Sequence, residues 1–95
     1  GSFELVFGSK KMIQAKVDVV IAIGCVIKGE TEHFDYICQS VSKGIIDLNI
    51  NFDTPVVFCV LTDNNIQQSI DRSGGKHGNK GVEAAITALK LANLN

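Results

Sequence analysis

Two stretches of this chain are apolar without helical spacing: VDVVIAIGCVI at 17–27 and TPVVFCVLT at 54–62. Both are short and rich in β-branched residues, and neither alternates as a strand with one wet face would. Each predicts a strand covered on both faces. Pro55 is tolerated at the first position of the second, where a missing N–H costs no ladder bond. Between them, Phe34, Ile37, Val41, Ile45 and Leu48 recur at three- and four-residue steps, which predicts an amphipathic helix over 32–50. Leu5, Val6, Met12 and Ile13 form a rougher helical stripe over 3–16, weakened by Gly8. Ile66 and Ile70 mark a short helix. Four glycines in SGGKHGNKG (73–81) break it as a helix-to-helix turn, and Val82, Ala85, Ile86 and Leu89 open a last helix.

Two buried-type strands joined by one such helix make a parallel β-α-β unit with a right-handed crossover. A two-stranded parallel sheet cannot cover three or four amphipathic helices or protect its own edges. The chain therefore reads as a single domain over 1–95 that is part of a larger α/β layer. Further strands are expected from before Gly1 or from a partner.

Composition narrows the picture modestly. Ninety-five residues suit one domain, and a net charge of −1 gives no electrostatic reason for nucleic acid or an anionic membrane as partner. The longest apolar run, Val17 to Ile27, is too short to span a bilayer, and GSFELVFGSKK lacks a signal-peptide pattern. Cys25, Cys38 and Cys59 are odd in number and form no C-x-x-C pair. They are expected as buried thiols in a reducing, cytoplasmic setting, with no metal site.

Ligands of open parallel sheets bind beyond the carboxyl ends of the strands. Here those ends run into KGETEH and TDNN. Gly29 permits close backbone approach, and amides from Glu30 onward would face out of a helix N-terminus, where anions are favoured. His33, expected one turn inside that helix, has the side chain suited to proton transfer near neutrality. By residue chemistry alone, Thr31 and Glu32 read first as an ordinary helix start, and His33 as an ordinary surface residue. Arg72, Lys76, His77 and Lys80 make the Gly-rich turn basic, yet it departs from a P-loop because Asn79 precedes Lys80 where glycine is required.

Taken together, GSFE (1–4), GCVIKGETEHFDYIC (24–38), PVVFCVLT (55–62) and DRSGGKHGNKGVEAA (71–85) resemble the 6,7-dimethyl-8-ribityllumazine synthase family over essentially the whole chain. The resemblance implies a flavodoxin-like three-layer α/β/α sandwich with a mainly parallel four-stranded sheet. Only two of those strands lie in this chain, because the match begins near the end of the family's second strand. It also implies a riboflavin-pathway transferase. That enzyme condenses 5-amino-6-(D-ribitylamino)uracil with 3,4-dihydroxy-2-butanone 4-phosphate, with neither cofactor nor metal.

By the same resemblance, Ser2, Phe3 and Glu4 would meet the pyrimidine and its ribityl chain, and Cys25, Val26 and Ile27 would line it largely through the main chain. Glu30 and Thr31 would meet the phosphate, and His33 would shuttle protons. Phe58, Arg72 and Lys80 would reach the same site from an adjacent subunit, with Arg72 gripping the phosphate. Glu83 stands where relatives often carry Asp. The family's aromatic residue from its first strand has no counterpart here. The resemblance implies a homo-oligomer: a pentamer and, because SGGKHGNKG carries no insertion, an icosahedral 60-mer. Riboflavin synthase is a further implied partner. An archaeal-type riboflavin synthase of the same fold, and a catalytically silent cage-forming scaffold, stand as alternatives.

Overall fold

The structure, a computed structural model, describes residues 1–95. Strands β1 (Val20–Ile27) and β2 (Val56–Asp63) pair in parallel over their full length, Val20 opposite Val56 and Ile27 opposite Asp63. Helix α2 (His33–Asn51) makes the crossover. Its length, roughly 28 Å at 1.5 Å per residue, returns the chain along a strand of roughly 26 Å, so the second strand starts level with the first. A 3₁₀ turn at Ser2–Glu4 leads into α1 (Leu5–Gln14). After β2 come α3 (Ile66–Asp71), a short antiparallel ribbon of β3 (Ser73–Gly75) with β4 (Gly78–Asn79), and α4 (Lys80–Ala92).

Side chains alternate across the sheet and build a core on each face. On one face Val20, Ala22, Val56 and Val60 meet Ile13 of α1 and Val41, Ile45 and Leu48 of α2. On the other, Val57 and Cys59 meet Ala84 and Ala88 of α4. The expected three-layer α/β/α order is present, and the α2 stripe packs as its periodicity predicts.

Four expectations need correction. First, the two-sided cover predicted for β1 is incomplete, and Ile23 is 68% exposed, because α4 lies mainly over β2 and reaches only Ile21 at the start of β1. Second, α4 buries Ala84 and Ala88, whereas Val82, Ile86 and Leu89 face outward. Small side chains let the helix approach Val57 and Cys59 closely, which a stripe of larger residues would prevent. Third, α3 buries Ser69 and Asp71 and exposes Ile66 and Ile70, so its inner face is the polar one. Fourth, the Gly-rich stretch is a paired ribbon, not a plain turn. It ends where the Asn79 side chain caps α4 by accepting from the Val82 amide at 3.1 Å.

Both sheet edges are open within the chain. At the start of β2, Asn49 replaces part of a neighbouring strand. Its Oδ1 accepts from the Val56 amide at 2.8 Å, and its Nδ2 donates to the Val56 carbonyl at 2.9 Å. Helices α1 and α2 cross at Gly44, where an added Cβ would stand 2.5 Å from a Val6 methyl. Valine is stiff at χ1 and cannot swing clear. Gly44→Ala should therefore lower stability by a net ~1–2 kcal/mol, overpacking outweighing the ~1 kcal/mol of helix propensity gained. An unchanged or raised denaturant midpoint would show that the helices slide apart freely.

Candidate active site

The sequence-predicted residues gather in three places. One lies against the carboxyl-terminal half of β1. Gly24 leaves room for the 3₁₀ turn: a Cβ there would stand 2.7 Å from the Ser2 hydroxyl and 2.8 Å from a Leu5 methyl. The Ser2 hydroxyl donates to the Cys25 carbonyl at 3.3 Å, which holds Ser2, Phe3 and Glu4 beside the strand. Phe3 is 58% exposed, and the Glu4 carboxylate accepts from the Gly1 nitrogen at 3.0 Å. Cys25 and Ile27 are exposed, while Val26 turns its side chain into the core under α1 and α2, leaving only its main chain for a ligand.

The thiol of Cys25 is thus not buried as expected. It lies on the α4 side of β1, beyond the part that α4 covers. Cys59 is buried, and Cys38 in α2 is half-buried. Burial pushes the Cys38 thiol pKa up, and the nearby Asp35 carboxylate adds to the shift.

A second group lines a cleft of about 630 Å³ along the free edge of β2. Phe58, Arg72, Lys80 and Glu83 share it, with Asp63 and Thr87. Arg72 ends α3 and donates from Nη1 to the Gln68 carbonyl at 3.0 Å. The ribbon then brings Lys80 back to it, the Lys80 amide donating to the Arg72 carbonyl at 2.8 Å. Lys80 Nζ sits 3.4 Å from a Glu83 carboxylate oxygen, an exposed pair one helical turn long. The cleft therefore carries two cations and two carboxylates beside an aromatic ring; Glu83 is paired with Lys80 and Asp63 is held by Ser69, which leaves the Arg72 guanidinium for an anionic ligand with a planar part. Thr87 was missed by sequence reasoning, although the spacing of Lys80, Glu83 and Thr87 on one helix face could have flagged it.

The third group follows the end of β1, where the Lys28 amide donates to the Asp63 carbonyl at 2.9 Å. Glu30, Thr31 and His33 are exposed at the start of α2, and no hydrogen bond in the chain ties their side chains to either other group. His33 is the first residue of α2, not one turn inside it. Its amide donates to the Thr31 hydroxyl at 3.3 Å, a local turn that delays the helix past GETE.

A family model described as 6,7-dimethyl-8-ribityllumazine synthase matches residues 1–95. Proteins of that name from Flavobacterium johnsoniae and Flavobacterium psychrophilum are 69% and 66% identical, covering 97% and 99% of this chain and 49% and 50% of their own length. One from Christiangramia forsetii is 62% identical over 99% of this chain and 57% of its own length. The chain thus spans about half the length of the curated relatives it matches. With the three-layer α/β arrangement and a match running from Gly1 to Asn95, the chain belongs to the 6,7-dimethyl-8-ribityllumazine synthase family.

Proposed function

We propose that the protein containing this chain is a lumazine synthase of riboflavin biosynthesis. It joins 5-amino-6-(D-ribitylamino)uracil to 3,4-dihydroxy-2-butanone 4-phosphate, giving 6,7-dimethyl-8-ribityllumazine, phosphate and water. The observation that carries the reading is the unbroken family match over all 95 residues, which includes every residue of the three groups above. The relatives' printed name supplies the reaction.

The reaction needs little beyond positioning. The 5-amino group adds to the ketone, water leaves to form an imine, phosphate is eliminated, and the enol closes the ring with loss of a second water. Both reactants are intrinsically reactive, so holding them together supplies most of the acceleration. Ser2, Phe3, Glu4 and the main chain of 25–27 hold the pyrimidine. Arg72 and Lys80, with Glu30 and Thr31 at the start of α2, hold the phosphate as its charge develops. His33 moves the proton, and Phe58 covers the ring.

Each site is assembled across a subunit boundary in a homo-oligomer, Phe58, Arg72 and Lys80 of one subunit completing the half-site that residues 2–33 of its neighbour begin. Outward Ile66, Ile70, Val82, Ile86 and Leu89 support such an interface, since exposed apolar surface of this extent marks association. The ring is a pentamer, and pentamers close into an icosahedral shell that also accommodates riboflavin synthase. Strands from outside this chain complete the four-stranded sheet along the open edge of β1, and the enzyme works in the cytoplasm.

Supplying the full-length protein with both substrates should yield the lumazine and one phosphate per turnover. Conversion of supplied lumazine to riboflavin instead would favour the archaeal-type riboflavin synthase, and no turnover of either set a silent scaffold. His33→Ala should lower turnover by roughly 10- to 100-fold, the low end for a general acid–base group, with assembly size unchanged. Unaltered turnover between pH 6 and 8 removes His33 from the mechanism.

A further inference from the structure

Helix α3 meets the sheet through a hydrogen-bonded chain rather than through apolar packing. Its apolar residues, Ile66 and Ile70, point outward, whereas Ser69 is only 5% exposed. The Ser69 hydroxyl lies 2.8 Å from Oδ2 of Asp63, the last residue of β2, and 3.3 Å from the Sγ of Cys25 on β1. Asp63 is 9% exposed, and its carboxylate, when ionised, can only accept. The single Ser69 proton therefore goes to Asp63, and the oxygen of Ser69 is left to accept from the Cys25 thiol. The order is thiol to hydroxyl to carboxylate. The main chain of Ser69 is engaged as well, its carbonyl accepting from the Ser73 hydroxyl at 2.7 Å and from the Arg72 amide at 3.2 Å.

We propose that Ser69 and Asp63 are positioning residues that fix the Cys25 segment of β1 and, through it, the pyrimidine-binding half-site. This rests on the lumazine synthase reading, in which the main chain of 25–27 lines that substrate. The Cys25 carbonyl already accepts from Ser2, so the residue is held from both sides: by the 3₁₀ turn through its main chain and by Ser69 through its side chain. Arg72 is anchored independently of the Ser69 hydroxyl. Its contacts run to the Ser69 and Gln68 carbonyls, and its own carbonyl accepts from the Lys80 amide, all of which survive truncation of the side chain at 69. The two substrates should therefore respond differently to the same substitution.

In the full-length protein, Ser69→Ala should raise the KM for the ribitylaminouracil by roughly 5- to 20-fold, the scale of a lost buried hydrogen bond. The KM for the butanone phosphate and kcat should each stay within about 2-fold. Ser69→Thr, which keeps the hydroxyl, should restore the pyrimidine KM. Iodoacetamide labelling of the Cys25 peptide, followed by mass spectrometry, reads the link without reference to catalysis. Labelling should quicken by about 3-fold or more in Ser69→Ala and not in Ser69→Thr, because the thiol loses its partner. If Ser69→Ala does not fold, Ser69→Cys, which keeps the shape but weakens both hydrogen bonds, should show the same KM split and quickened labelling of the Cys25 peptide. Unchanged labelling in Ser69→Ala overturns the link itself. Quickened labelling with both KM values raised alike means general loosening and overturns the positioning role while leaving the function standing. A wild-type protein that turns over neither substrate overturns the functional reading, and the positioning role with it, whatever the labelling shows.

Discussion

Replacing Arg72 with alanine is expected to raise the KM for 3,4-dihydroxy-2-butanone 4-phosphate by roughly 10- to 150-fold and to leave that for the pyrimidine within about 3-fold. The range follows from charged hydrogen bonds worth about 1.5–3 kcal/mol. Arg72 is the only arginine among these 95 residues, so no second guanidinium of this segment can take over the phosphate. One of its five N–H donors is spent on the Gln68 carbonyl, which fixes the side chain while leaving the rest of the fork for the cleft. Lys80 shares that cleft but is paired with Glu83, so its charge is partly neutralised. Arg72→Lys should recover part of the loss, because a point charge replaces bidentate geometry. Equal weakening of both substrates in Arg72→Ala would contradict the phosphate role.

Much of this fold was legible because packing writes its period into the sequence. Val41, Ile45 and Leu48 repeat at helical spacing and are buried, and the β-branched runs at 17–27 and 54–62 contain the two paired strands. What periodicity cannot say is which of two apolar faces meets this sheet. In α4 the larger Val82, Ile86 and Leu89 dominate the pattern, but close approach to β2 selects the alanines. In α3 the isoleucines mark the helix, yet its docking depends on Ser69 and Asp63, a contact between residues six apart that only the end of β2 creates. The start of α2 slipped for a local reason, since the Thr31 hydroxyl takes the His33 amide before the helix begins. The candidate site divides the same way. Arg72 and Lys80 were visible as a basic cluster, whereas their shared cleft with Phe58 requires the ribbon and the free edge of β2. The roles of Ser2, Glu4 and Cys25 came from family resemblance, because nothing in their spacing announces a ligand.

Mixing two defective subunits should restore activity that neither has alone. His33→Ala disables the half-site at the start of α2, and Arg72→Ala the half-site at the end of α3. If each site takes one half from each of two neighbouring subunits, random co-assembly in equal amounts gives a site an intact His33 half of the time and an intact Arg72 half of the time. About a quarter of sites are then complete, the expectation for a heterologous ring in which every boundary is equivalent. At butanone phosphate below its KM, each parent alone should retain roughly 0.7–10% of wild-type rate, from the roughly 10- to 100-fold loss at His33 and the roughly 10- to 150-fold loss at Arg72 argued above. A co-expressed mixture near a quarter therefore stands well clear of both. If instead a single chain supplied both halves, no chain in the mixture would be intact, and the rate would stay at the average of the parents. Sedimentation of the same samples separates the layers of the proposal. A species of one or two subunits that turns over both substrates defeats the ring, whereas an active pentamer removes only the icosahedral shell. The quarter is the outcome that the proposed sharing requires, because that sharing takes His33 from one subunit and Arg72 from its neighbour at every boundary.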